Sequence, residues 1–307
     1  MGKLTNEFIE YVSNKNVMQE KYLKSFWEEV DVGELGELED ILAFFSKTYS
    51  IEEIGDAYLL FVEDTMNETK YFVENNSERY RFHSLDEVED KVYGNAEYMS
   101  KYMLGLQISG YVWSNHREIH RWWKNIIPHF NGENYLEIGP GHGQYFLEAL
   151  EQQRFKKYYA LDISETSLKQ TKAYIDMKAP AVDNFELIQG DFYKIVLEQK
   201  FDAVSLSEVL EHVEEPERMM RKVYEITSDS ADVYVNVPIN APEIDHIYLF
   251  HNVEEVISLI ESVGFIVKDK IVATGNGIPY EKAVKKKSAI NLALWLKKQV
   301  SCHRWKL

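Results

Sequence analysis

Cysteine is nearly missing from this chain of 307 residues; the single one is Cys302. That excludes an internal disulfide and a thiolate metal cluster. Proline and glycine are sparse, with 7 and 15 residues, so no long flexible linker separates the two halves. No run approaches the roughly 20 apolar residues of a membrane-spanning helix. The N-terminal stretch is acidic and amphipathic, without an apolar signal core. A cytoplasmic protein with no membrane partner is expected.

Positive charge is also in deficit. Lys and Arg number 34 against 51 Asp and Glu, a formal net charge of -17. The mean field repels a phosphate backbone, which disfavours a nucleic-acid partner. Apolar residues are not lacking. At 45% hydrophobic and 13% aromatic, the chain can bury a core, and its length suits two domains.

Residues 1 to about 128 read as helices. Phe8, Ile9, Val12, Met18, Tyr22, Leu23 and Phe26 recur at helical spacing across 6–30. A second helix is expected over 38–49. Ser50 with Glu53 marks the start of a third, running to about 75, and Ser84 with Glu87 the start of a short one. Two more cover 95–107 and 115–127, before Pro128 and Asn131-Gly132 end the region.

From residue 129 the character changes. Short apolar runs alternate with helical patterns, the signature of a parallel sheet with crossover helices. Strands are expected at 134–139, 157–162, 185–189, 201–206, 232–237, 265–273 and 289–296. Helices fall at 143–153, 164–177, 215–227 and 252–262. The expected fold is α/β: a Rossmann-like, seven-stranded, mostly parallel sheet with flanking helices, preceded by an all-helical domain. The division is 1–128, a helical cap that selects the substrate, and 129–307, the cofactor-binding domain.

The most informative stretch is Leu136-Glu137-Ile138-Gly139-Pro140-Gly141-His142-Gly143-Gln144. It reads as a strand running into a glycine turn that opens a helix. Gly139 and Gly141 permit the turn and leave room for a ligand, and Gly143 lets the helix approach the strand. The helix start presents amide donors. Spaced glycines alone fit several nucleotide-like cofactors. Asp162, about 20 residues further on and followed by Ile163, suits a grip on two ribose hydroxyls. Asp191 suits an adenine amino group, with Phe192 against the ring. A dinucleotide is the rival ligand, but Glu137 and Asp191 suit a cationic sulfonium cofactor better.

These features resemble the class I S-adenosylmethionine-dependent methyltransferases. The acidic-x-Gly-x-Gly-x-Gly motif appears as Glu137, Gly139, Gly141 and Gly143, the ribose-binding acid as Asp162, and the adenine-contacting acid as Asp191. The fourth-strand segment matches Phe201 through Val213. The resemblance covers about 130–296. It implies S-adenosylmethionine as cofactor, with Ser207 at its edge.

His212, directly after the fourth strand, is the candidate general base, since an imidazole titrates in the useful range. His246, in the loop after the fifth strand, is a second candidate. Glu208, Glu211 and His212 also form a Glu-x-x-Glu-His cluster, similar to one with which some relatives, including ubiquinone-type O-methyltransferases and small-RNA 3'-end methyltransferases, hold a divalent ion, and His246 or His251 could complete it. The same string occurs in metal-free relatives, so a metal is not favoured. The small-molecule, ubiquinone-biosynthesis-like branch is expected, with O-methylation of a small-molecule acceptor. Methylation of nitrogen, carbon, protein or RNA, and a non-catalytic cofactor-binding partner, are the alternatives. The oligomeric state is open, a homodimer being one option. Tyr98, Tyr102, Tyr111, Trp113, His116, His120, Trp122 and Trp123 read as packing more than as an acceptor lid. Tyr145 is expected near the cofactor or substrate. Lys282, Lys285, Lys286 and Lys287 read as a solvated loop.

Overall fold

The computed structural model describes residues 2–298, so Cys302 lies outside the described residues. The helical region begins with α1 (Lys3–Lys15) and α2 (Val17–Glu29). The sequence predicts one helix here. Asn16 breaks it, because its side chain accepts from the Met18 and Gln19 amides at 3.0 and 3.2 Å and so starts a new helix. Next comes α3 (Val32–Phe45), which begins six residues before the expected start. Asp31 and Glu34 form a capping box there. The expected box of Ser50 and Glu53 opens α4 (Ile51–Glu74).

The short α5 (Leu85–Val88) is capped by Ser84 and continues into a π-helical stretch, Glu89–Tyr93. α6 (Ala96–Val112) and α7 (Ser114–Ile126) complete the region. Phe8, Val12, Leu23, Leu42, Tyr58 and Phe61 form its core, each almost fully buried. Burial of that apolar surface holds these helices together.

Seven strands follow: β1 (Gly132–Ile138), β2 (Phe155–Asp162), β3 (Phe185–Gln189), β4 (Phe201–Ser207), β5 (Thr227–Ile239), β6 (Phe265–Thr274) and β7 (Ile290–Lys298). They form one sheet in the order β3-β2-β1-β4-β5-β7-β6. The pairs β1–β2, β1–β4, β2–β3 and β4–β5 are parallel. Along the chain, the helices between these strands are α8 (Gln144–Glu151), α9 (Glu165–Lys178), α10 (Pro216–Ile226), α11 (Val253–Val263) and α12 (Tyr280–Lys286). This is the expected Rossmann-like architecture behind an all-helical region.

Two further details depart from the sequence reading. β5 starts five residues earlier than expected, through the polar run Ser228-Asp229-Ser230, and meets β4 across a register shift between Phe201 and Ala203. The lysine run is no loop. Pro279 caps α12, which carries Lys282, Lys285 and Lys286, and Lys287 ends it in the left-handed region at φ 49°. Lys287 Nζ then donates to the carbonyls of Asn76 and Ser77.

The chain forms two compact units. One holds Met1–His120, Asn240–Leu249 and Ala273–Ile290; the other holds Arg121–Ile239, Phe250–Val272 and Asn291–Leu307, which contains most of the sheet. In the first unit, the segment after β5 is pinned to α4, to α6 and to Tyr80 between α4 and α5. Thr65 donates to Glu243 at 2.9 Å, Tyr102 to Asp245 at 3.0 Å, and the Ala241 amide to Tyr80 at 3.1 Å. Among the described residues no helix is long and apolar enough to cross a membrane.

Candidate cofactor and active site

Strand register places the candidate residues along one sheet edge. Ile138 stands beside Leu161 on one side and Leu206 on the other, and Asp162 stands beside Gln189. The carboxyl ends of β1, β2, β3 and β4 therefore bring Gly139, Asp162, Gly190 and Ser207 together. The strand order reverses at β1, between β2 and β4. A crevice at such a point is where open α/β sheets bind ligands.

The glycine turn is tied down at each step. The Gly139 amide donates to Leu161 O at 2.8 Å, the Gly143 amide to Pro140 O at 2.8 Å, and Thr171 Oγ1 to Gly141 O at 3.0 Å. All three glycines have positive φ. A side chain at Gly143 would meet Thr171 at 2.9 Å, so α8 and α9 depend on its absence. A side chain at Gly141 would meet nothing within 4 Å. The space beside Gly141 is therefore open.

Asp162 borders that space. Its carboxylate accepts from the Ser164 amide at 2.8 Å. Burial raises its pKa, against the amides of Ser164, Gly141 and Ile163, which favour the charged form. Ile163 next to it is 59% exposed, unusual for so large an apolar side chain. Beyond β3, Asp191 accepts from the Tyr193 amide at 2.8 Å and pairs with Lys194 at 2.9 Å. Burial acts to raise its pKa, but those two partners outweigh it and hold the carboxyl below its usual range. Phe192 is buried, with its carbonyl taken by Lys222.

Glu137 lies near the end of β1, two residues before Gly139. It is 3% exposed, and its Oε2 accepts from Tyr135 Oη at 2.9 Å and Ser205 Oγ at 3.2 Å. Burial pushes its pKa up to about 8, despite those two donors.

Glu208 follows β4 in the left-handed region, at φ 55°, a costly conformation for a residue with a side chain. Its carboxyl accepts from Asn236 Nδ2 at 2.7 Å and Asn291 Nδ2 at 3.0 Å, and its amide donates to Asn236 O at 3.0 Å. Burial raises its pKa to about 7, opposed by Asn291, Asn236 and a hydrogen bond with Glu211. Glu211 is fully buried, and its Oε1 lies 3.5 Å from Nε2 of His212, which keeps a partly exposed ring.

His246 belongs to the other unit, where its Nδ1 lies 2.8 Å from Ala241 O and its ring packs on Tyr80. His251 sits just before α11, its amide donating to Glu255. Asn291 escaped the sequence reading. It lies 83 residues from Glu208 and in no motif; an asparagine opening an otherwise apolar strand is its only trace.

The upstream aromatics divide between the units. In the first, Tyr98 stacks on Tyr102 and Trp113 donates to Tyr58. His116 is half-buried there, and desolvation of its ring pushes its pKa down to about 4. In the second, Trp123 packs on Tyr234 and Tyr145, with ring centres 4.7 and 5.4 Å apart.

A family profile described as a methyltransferase domain matches residues 112–269. The chain belongs to this methyltransferase-domain family. The match spans the glycine turn, Asp162, Asp191 and the Glu208–His212 segment of the domain. No curated protein sequence matches the chain. Among solved structures similar to this methyltransferase-domain protein is the N-methyltransferase NodS from Bradyrhizobium japonicum in complex with S-adenosyl-L-homocysteine. It is 12% identical, covering 60% of this chain and 88% of that one, with a TM-score of 0.47. An S-adenosylmethionine-dependent methyltransferase from Clostridium acetobutylicum is 11% identical, over 59% and 92%, with a TM-score of 0.45. The cyclase SpnF is 14% identical, over 61% and 85%, with a TM-score of 0.48. The family assignment rests on the sequence match.

Proposed function

We propose that this protein is an S-adenosylmethionine-dependent methyltransferase acting on a small metabolite or biosynthetic intermediate, with an oxygen as the methylated atom. The observation that carries the cofactor reading is the open space at Gly141 bordered by the Asp162 carboxylate. A carboxylate there is suited to a ribose diol, and the amides at the start of α8 to a polar or anionic end. Asp191 and Phe192 would hold the base, Ile163 would add an apolar face, and Ser207 would border the other end. When bound, this cofactor supplies an electrophilic methyl group.

The remaining work belongs to the acceptor side. His212 is the residue we assign as general base, because its ring stays partly exposed while Glu211 behind it can hold the imidazole's orientation. His246 is the second candidate. The finer placement in a ubiquinone-biosynthesis-like branch follows the oxygen acceptor and the Glu208–His212 string. A divalent ion would draw on Glu208, Glu211 and His212; the amides already gripping Glu208 count against its use as a ligand. Residues 1–128 would select the acceptor.

The test is methyl incorporation from labelled cofactor into fractionated acceptor pools by the purified full chain. Transfer into small molecules and none into protein or RNA is expected. Transfer into macromolecules alone refutes the acceptor class.

A further inference from the structure

Between α2 and the start of α7, within the first unit, lies a cavity of about 320 Å³. That volume falls in the range of small-molecule sites. Lys21, Tyr22, Phe26 and Glu29 of α2 line it on one side, and Ser114 and Arg117 of α7 on the other. Phe26 and Arg117 lie deep, at 2% and 3% exposure, while Lys21 and Glu29 stand exposed at the rim.

Arg117 points to a ligand. Its Nη1 donates to Glu34 at 3.0 Å, and its Nη2 lies 3.6 Å from Glu29, beyond hydrogen-bond reach. Its Nε is buried and has no hydrogen-bond partner among the described residues. Leaving a charged donor unpaired there is costly. The Nε–Nη2 edge is thus the open side of a planar fork, and its two N–H groups match the paired oxygens of a carboxylate. The start of α7 adds to it. Trp113 takes the N-cap position, its carbonyl accepting from the Arg117 amide at 3.0 Å, and an indole offers the first turn no acceptor. Such a helix start carries partial positive charge. The walls are aromatic. The Arg117 guanidinium lies 5.0 Å from the Phe26 ring centre, and the Tyr22 hydroxyl accepts from the Ser114 amide at 2.9 Å.

Charge decides which anion fits. Arg117 and Lys21 are set against Glu34 and Glu29. Glu34 is buried and held by Arg117 and by its capping box with Asp31. The Glu29 side chain is 58% exposed and only loosely paired, so it can swing into water. One positive charge is then left over, which suits a monoanion better than a phosphate dianion. We infer that this cavity binds a small organic carboxylate with a flat apolar body. Its two oxygens sit on the Nε–Nη2 edge of Arg117, its body lies against Phe26 and Tyr22, and Glu29 is the residue it displaces. No residue of the glycine turn takes part, so the site stands apart from the methyltransferase reading.

The experiment titrates the purified full chain with benzoate, phenyl phosphate and benzyl alcohol, followed by calorimetry at low salt and about pH 8, where the phosphate is a dianion. One benzoate per chain is expected, bound more tightly than phenyl phosphate and at least about tenfold more tightly than uncharged benzyl alcohol. Glu29→Gln removes the competing charge and should tighten benzoate about threefold. Arg117→Lys loses the fork and should weaken it about tenfold or more. Arg117 is buried, so urea unfolding checks that variant; Glu29 is at the surface, and Glu29→Gln decides if Arg117→Lys does not fold. Benzoate that binds neither wild type nor Glu29→Gln, or binds both equally, overturns the inference. So does unchanged affinity in folded Arg117→Lys, or tighter binding of phenyl phosphate or benzyl alcohol than of benzoate.

Discussion

Alanine placed at two neighbouring glycines should produce opposite defects. Gly141 and Gly143 both have left-handed φ, 56° and 89°. Forcing a residue with a side chain there costs about 1–2 kcal/mol. At Gly141 nothing is added, because the new methyl meets no atom within 4 Å. At Gly143 the methyl would sit 2.9 Å from Thr171 Cγ2 and 3.0 Å from its Cα, so α9 must shift. Overpacking of that kind adds about 1–3 kcal/mol. Gly143→Ala should therefore lose about 2–5 kcal/mol in urea unfolding, and Gly141→Ala only about 1–2 kcal/mol. Affinity for S-adenosylhomocysteine, read by calorimetry on the folded protein, should run the other way. Gly141→Ala fills the open space and should bind at least about tenfold more weakly. Wild-type affinity in Gly141→Ala would refute the claim that the ligand occupies that space.

Other outcomes follow from the same geometry. Asp162→Ala should weaken cofactor binding about a hundredfold or more, since hydrogen bonds to a charged group are worth about 1.5–3 kcal/mol each; calorimetry reads it, and an unchanged Kd removes the ribose assignment. His212→Ala should keep S-adenosylhomocysteine affinity and lose turnover, and full activity would remove it as the base. Exhaustive chelation should leave turnover intact, and loss restored by one added divalent ion would establish the metal reading instead. Glu137 makes stability depend on pH. Its folded pKa of about 8 lies above its ordinary carboxylate value, so the native state keeps a proton that the unfolded state has released. Its contribution is full below about pH 4.5 and is lost as pH rises toward 8, at up to about 1.4 kcal/mol per pH unit. Glu137→Gln should flatten that slope in urea midpoints taken from pH 5 to 8; an identical slope would mean that Glu137 is ionised in the native state.

The strands were legible because each buried run is short, β-branched or aromatic, and bounded by a turn. Their order then put Asp162 and Ser207 on one edge without any long-range information. Caps were legible where a serine leads a glutamate, as at Ser50. Asn16 was not, since an asparagine inside a periodic apolar pattern looks like an ordinary helix surface residue. The lysine run around Lys285 read as loop because charge density masks helical spacing when only Ala283 is buried. Glu137 was legible as an acid before the glycines, but its partners Tyr135 and Ser205 belong to the packing of two strands, and no motif announces them. Asn291 shows the same limit. Its hydrogen bond to Glu208 depends on where β7 enters the sheet, which local pattern does not encode.

The central claim is that the turn at Gly139–Gly143, with Asp162, holds S-adenosylmethionine. Titrating the purified full chain separately with S-adenosylmethionine and with NAD, in wild type and in Asp162→Ala, tests it most directly. The account predicts one S-adenosylmethionine per chain, no NAD, and loss of binding in the variant. Binding of NAD without S-adenosylmethionine would contradict it.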